Sequence, residues 1–400
     1  MKEEGVKSMN QRDLAEIKRR LNPDRRNPSV ILGCYVGSDG EVISTFSQPV
    51  LTMPQEENEK YMAIFKRTLS GTQGQNLREI EFTPAQVMES EEHQLLTALR
   101  ESALKDHEAV ESFFTRAITY IHAIGAAQAQ SVASEQEGRN YLVLLMHDGY
   151  DVPYKDINGE NDADRSDGVF NYIICSVCPV KQTKPALSYF TAESEFHSRA
   201  AEWMVGAPEL GFMFPAFEER AANLYKAMFF TRDSGNMHDE FVRGVFGEEE
   251  PQMPAKEQEE VFQAILQDTL EEECSLDVVQ AVHETVRGMI AEQKADKTAE
   301  PLQLTRHDVK NVLEECGVSQ ERAEAFEQKY TETFGANAEI PAVNVVPARK
   351  FTVTTPSVVI HVDPEHSDLI ETRVIDGKCY IMVLADGNVE VNGVNVRVDG

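Results

Sequence analysis

The sequence predicts an α+β protein in which helices pack on a mainly antiparallel sheet, followed by an acidic helical segment and a small C-terminal β-meander. Three observations predict it. Short β-branched runs flank tight-turn signals near the start and the end of the chain. Two apolar, β-rich runs, Tyr141 to Met146 and Val169 to Val180, have the character of buried central strands. Helical periodicity fills most of the remainder. With 400 residues, 41% hydrophobic and 26% charged, the chain is long enough for two or three packed units.

The first element is a helix from about Gln11 to Leu21, with Asn10 as its cap and Leu14, Ile17 and Leu21 as its apolar stripe. Val30 to Val36 and Glu41 to Ser47 flank Ser38-Asp39-Gly40, a hairpin signal. A helix follows from about Pro54 to Leu69. Thr83-Pro84-Ala85-Gln86 combines an N-cap, an N1 proline and a glutamine able to close a capping box, so helices should fill much of 84–133. Between the two apolar runs, Asp148 to Gly168 reads as a polar, acidic, solvated surface hairpin loop. From Glu193 to about Phe246 the pattern reads as helix again, broken at Gly206, Pro208, Gly211 and Pro215.

Residues 248–300 hold 15 acidic and 4 basic side chains between prolines, which marks a boundary. Apolar residues at helical spacing within them predict two amphipathic helices. A helix pair, Thr305 to Cys316 and Ser319 to Phe334, turns at Gly317-Val318. From about Phe351 the period changes, and Asp376-Gly377, Asp386-Gly387 and Asn392-Gly393 each separate short β-branched runs. The division expected is an α+β core domain over 1–247, an acidic helical domain over 248–340 and a small β domain over 341–400.

Charge restricts the function classes. With 68 acidic against 38 basic side chains, the net charge of −30 repels nucleic acid and anionic membranes. The N-terminal stretch MKEEGVKSMNQRDL lacks a signal-peptide core, and no apolar run is long enough to span a bilayer. The six cysteines are sparse and read as reduced thiols. A cytoplasmic location is the expectation.

Each candidate chemistry has a plainer reading. Cys175 and Cys178 have redox or zinc spacing, but on an extended strand residues three apart face opposite ways. The acidic stretch Asp148, Asp151, Asp156, Glu160, Asp162, Asp164 and Asp167 offers hard oxygen ligands without the glycine placement of a calcium loop. The helix pair about Gly317 has the outline of a DNA-reading unit, yet Glu321, Glu324, Glu327 and Glu332 outnumber Arg322 and Lys329. Lys18, Arg19, Arg20, Arg25 and Arg26 form the one basic cluster, where the first helix ends and cations suit its dipole. His147-Asp148 and His238-Asp239-Glu240 lack an identifiable nucleophile or metal partner. No catalytic residue, metal ligand or cofactor is therefore expected.

The segment Trp203 to Arg220, WMVGAPELGFMFPAFEER, is the most distinctive in the chain. Trp203, Phe212, Phe214, Phe217 and Arg220 are its candidate partner-binding residues, because rigid aromatics and arginine dominate protein contacts. The competing reading, favoured on balance, is a loop pinned into the core by its own rings.

Four stretches, DLAEIKRRL from Asp13, CPVK from Cys178, GFMFPAF from Gly211 and ETRVIDG from Glu371, together resemble an uncharacterised family of bacterial proteins, mainly Gram-positive, known only as a domain of unknown function. That resemblance covers the chain from about Met9 and implies no activity or cofactor. The order of elements and the helix pair LTRHDVKNVLEECGVSQERAEAF are also similar to bacterial nucleoid-associated proteins, which implies association with the nucleoid through protein partners. The leading expectation is a non-enzymatic binding or scaffold protein. The alternative is a metal-assisted, hydrolase-like enzyme built around 148–168.

Overall fold

The computed structural model describes residues 8–25, 27–131, 139–155, 161–247, 252–346, 350–385, 389–391 and 394–396. Arg26, Asp156, Glu160 and the turns at Asp386-Gly387 and Asn392-Gly393 lie outside them. The chain divides into two compact units, Met1–Pro254 with Lys297–Glu300, and Ala255–Asp296 with Pro301–Gly400. The acidic helices and the C-terminal strands, expected as separate domains, belong to one unit.

The first unit opens with α1 (Gln11–Arg20), where Asn10 accepts from the Arg12 and Asp13 N–H groups as its cap. β1 (Val30–Val36) and β2 (Val42–Pro49) form the expected hairpin, with Gly40 at φ 83° in the turn. α2 (Gln55–Thr68) and β3 (Leu77–Glu81) precede α3 (Pro84–Glu89), α4 (Glu91–Glu101) and α5 (His107–Ser131). The Thr83 capping box is complete, since Gln86 N–H donates to Thr83 Oγ1 at 3.2 Å and Thr83 N–H donates to Gln86 Oε1 at 2.8 Å. β4 (Asn140–Lys155) and β5 (Asn161–Gln182) are the two apolar runs, paired antiparallel.

The expected helical stretch after Glu193 is β structure instead. After β6 (Ala186–Phe190), which precedes that stretch, β7 (Glu195–Arg199), β8 (Trp203–Val205), β9 (Leu210–Phe214), β10 (Ala216–Glu218), β11 (Ala221–Asn223) and β12 (Lys226–Thr231) follow in succession. Only α6 (Asp239–Phe246) is helical there. The reason is that β9 and β12 are buried on both faces, and a continuous apolar run has no period by which to tell strand from helix. The acidic stretch 148–168 is also corrected. It is mostly a continuation of β4 and β5, with ladder pairs from Asp148↔Tyr172 out to Tyr154↔Asp162, rather than a loop.

The large sheet runs β2-β1-β4-β5-β9-β12-β3, with β8 beside the end of β5, and every pair in it is antiparallel. Alternation along the strands divides the core by face. Leu32, Cys34, Val143, Leu145, Phe212 and Phe229 pack with side chains of α4, α5 and α6. Ile31, Leu144, Met146, Met213 and Met228 pack with α1 and α2. α2 approaches the sheet closely, because a Cβ at Gly211 would lie 2.7 Å from Thr68 Cγ2 and 2.4 Å from the Cys175 carbonyl oxygen. Thr68 Oγ1 and Ser176 Oγ, 2.7 Å apart, satisfy each other inside that contact.

In the second unit, α7 (Ala255–Leu270) and α8 (Leu276–Ala295) are the two acidic amphipathic helices. β13 (Gln303–Leu304) leads into α9 (Arg306–Glu315) and α10 (Gln320–Phe334), and Gly317 at φ 89° makes the turn between them. β14 (Ile340–Pro341) and α11 (Ala342–Val345) close a core in which Phe262, Leu313, Phe326 and Tyr330 are buried. The chain ends in three separate hairpins rather than one meander. They are β15 (Phe351–Thr354) with β16 (Val359–Val362), β17 (Ile370–Ile375) with β18 (Lys378–Val383), and β19 (Val389–Val391) with β20 (Val394–Val396). Gln280 ties α8 to the start of β17, its Nε2 donating to the carbonyl oxygens of Ser367 at 2.7 Å and Ile370 at 3.2 Å. Among the described residues no helix is long and apolar enough to cross a membrane.

Candidate partner-binding arm

Beyond the large sheet, β6 and β7 pair, among the described residues, only with each other and form a two-stranded arm. Its base is closed by Thr183 and Glu202, since the Thr183 N–H donates to the Glu202 carbonyl at 2.8 Å and the Glu202 N–H donates to Thr183 Oγ1 at 3.0 Å. The strands turn at Thr191 to Ser194, with Ser194 in the left-handed region at φ 54°. The register Leu187↔Ser198, Tyr189↔Phe196 puts Leu187, Tyr189 and Phe196 on one face, because residues two apart share a side of a strand. Leu187 is 73% exposed, Tyr189 51% and Phe196 65%. The Tyr189 and Phe196 rings pack on each other at 5.0 Å. Just past the base, β8 adds Trp203 at 54% and Met204 at 62%. His197 lies on the opposite face, 3.1 Å from a Glu193 oxygen and 3.5 Å from a Glu195 oxygen.

The structure separates the five partner-binding candidates. Trp203 is on the surface. Phe212, Phe214 and Phe217 are fully buried, which makes them core rings and removes them from any contact surface. Phe212 meets Phe246 at 5.1 Å and Phe113 at 6.0 Å; Phe214 meets His93 at 5.4 Å; Phe217 meets Phe170 at 4.6 Å. Arg220 is turned inward, with its Nη2 donating to the Pro153 carbonyl and lying 3.5 Å from Glu16 Oε1. Sequence reasoning missed Leu187, Tyr189 and Phe196. The alternation in ALSYF and EFHSR, on either side of Thr-Ala-Glu-Ser, was the signal for them.

The chemical candidates are occupied by structural work. Asp148, inside the acidic stretch, is 1% exposed and accepts from Arg20 at 3.0 Å on each carboxylate oxygen and from the Tyr172 hydroxyl at 2.9 Å. A buried carboxylate held this way is neutralised in place. Arg20 is thereby spoken for, and burial next to Lys66 pushes the Lys18 ammonium down. Burial is the larger of those two effects. Asp151 accepts from Ser166, and Asp167 lies 3.9 Å from Arg220. Among the described residues no three His, Cys, Asp or Glu side chains gather as metal ligands do.

Cys175 and Cys178 do face opposite ways, the first into the core under α4 to α6 and the second into the core under α1 and α2. Burial raises both thiols, Cys178 to about 12, so neither is a thiolate at neutral pH. His147 and His238 are buried, and desolvation lowers both. In the helix pair, Arg306, His307 and Lys310 on α9 all reach Glu327 of α10, at 3.7, 3.0 and 3.3 Å. Ala323, Phe326 and Tyr330 of α10 are buried in the core. Those three basic groups are held against Glu327, and Arg322 of α10 reaches Glu271 at 2.6 Å.

Comparison with known proteins adds a family and little else. No curated protein matches the chain, and no solved structure matches it either. The likeness to nucleoid-associated proteins therefore gains no support. The sequence model of one family, described as a domain of unknown function (DUF4317), matches residues 9–394, and the chain belongs to that family.

Proposed function

We propose that this chain is a non-enzymatic protein-binding or scaffold protein of the cytoplasm, and that the β6–β7 arm with β8 is the element that grips its partner. One observation carries the reading: Leu187, Tyr189 and Phe196 form an exposed apolar face on a hairpin that has no core of its own. An isolated two-stranded hairpin is marginal in water, and an apolar face on one is stabilised by being covered. Aromatic side chains at the centre of such a face are the usual anchors of protein contacts. A partner with an apolar cleft and a basic rim suits both the arm and the net charge of −30. Basic DNA-bound proteins are of that kind, and through one of them association with the nucleoid would arise. The metal-assisted reading is weaker, because Asp148 is already satisfied by Arg20 and Tyr172.

The test is capture from lysate with the full chain and with a Tyr189→Ser, Phe196→Ser double variant. The expected result is a protein retained by the wild type and lost with the variant, while both unfold at the same temperature. A partner held equally by both, or none held by either, would overturn the proposal.

A further inference from the structure

The two edges of the large sheet are built differently. β3 is five residues long, carries Arg78, Glu79 and Glu81, and is tied down by an Arg78 bond to the Met253 carbonyl oxygen at 2.7 Å and a Glu79 pair with Lys226 at 3.0 Å. β2 is eight residues long, VISTFSQP, with no charged side chain, and its uncharged run continues to Gln55. Among the described residues β2 pairs with β1 alone, and Val42 and Ile43 are more than half exposed. An open edge presents a row of unpaired backbone N–H and C=O groups that only another strand can satisfy in full. Proline, charge and bulges normally blunt such edges. Here Pro49 guards one end and the bulge at Ile43 the other, leaving Ser44 to Gln48 open.

We propose that β2 pairs antiparallel with β2 of a second copy of this chain, joining two sheets across a two-fold axis. Charge selects this occupant. Two molecules carrying −30 each repel wherever carboxylates face one another, and a 14-residue stretch without charge is where they can approach. A basic strand would find no carboxylate on β2 to recognise. An antiparallel edge is self-complementary under a two-fold, so one strand supplies both halves of the contact. Past the bulge, Thr45 and Ser47 alternate with Ser44 and Phe46, and the small side chains of Ser44, Thr45 and Ser47 permit the usual strand spacing.

Sedimentation equilibrium or light scattering on the full chain tests it. A monomer–dimer equilibrium is expected to strengthen with added salt, because salt screens the remaining repulsion. Thr45→Lys sets like charges near one another across the axis and should weaken association at least about fivefold. Thr45→Val, which keeps a neutral β-branched residue, should leave it in place. A Phe196→Ser dimer as strong as the wild type would separate this contact from the arm. Monomer at every concentration and salt, a dimer indifferent to Thr45→Lys, or one lost with Phe196→Ser would each overturn the proposal.

Discussion

Residues 186–205 and 210–231 are neighbours in sequence, both aromatic and both built of short strands, yet the first exposes its rings and the second buries all of its own but Tyr225. The difference lies in how many partners each strand has. β9 sits between β5 and β12, and β12 between β9 and β3, with helices over both faces. Among the described residues β6 and β7 have only each other. A ring on a central strand is covered from three directions, whereas a ring on the arm meets one neighbour and water. Both segments are rich in aromatic and aliphatic residues, and the partners each strand has decide whether those residues are buried.

The largest effect should come from the buried side. Phe212→Ala removes a fully buried ring that touches Phe113 and Phe246, and should cost about 3–5 kcal/mol in denaturant unfolding. A loss under about 1 kcal/mol would mean that the centre of the sheet is as loosely covered as the arm, and the comparison would fail.

What could be read in advance follows the same line. The Thr83 capping box, the turn at Ser38-Asp39-Gly40, the Asp376-Gly377 hairpin and the two central strands were legible because each depends on local chemistry. β9 and β12 were not, because Leu210 to Phe214 and Lys226 to Thr231 bury both faces and erase the period. Of the exposed residues in and beside the arm, Trp203 was named in advance from its residue type alone. The exposure of Leu187, Tyr189 and Phe196 depends on the absence of any third strand or helix beside the arm, which no local pattern encodes.

A smaller effect sharpens the contrast at the end of β12. His238 is 5% exposed, has no hydrogen-bond partner among the described residues at either ring nitrogen, and sits at φ 53°. Desolvation lowers its basicity and outweighs Glu209, Asp233 and Asp239, which pull the other way. With the folded value below the unfolded one, near 6.5, the unfolded chain binds the extra proton first. Stability is therefore full above that value and falls as pH drops through it toward the depressed folded value. His238→Asn keeps a residue that tolerates left-handed geometry and removes the proton. It should flatten the acid limb of a plot of thermal midpoint against pH, and an unchanged limb would show that His238 is open to solvent like the arm.

The smallest effect belongs to the arm itself. Phe196→Ala deletes one half of the Tyr189–Phe196 pair, a cross-strand contact of the kind that contributes roughly 0.2–1 kcal/mol. That contribution holds the hairpin closed locally. The arm has no buried side chain joined to either core of the first unit, so opening it leaves the sheet intact. The global unfolding midpoint should shift by less than about 0.5 kcal/mol, while amide exchange across β6 and β7 speeds up several-fold. A global loss as large as that of Phe212→Ala would make the arm part of the folding core, and its exposed rings would then need a different explanation from partner binding.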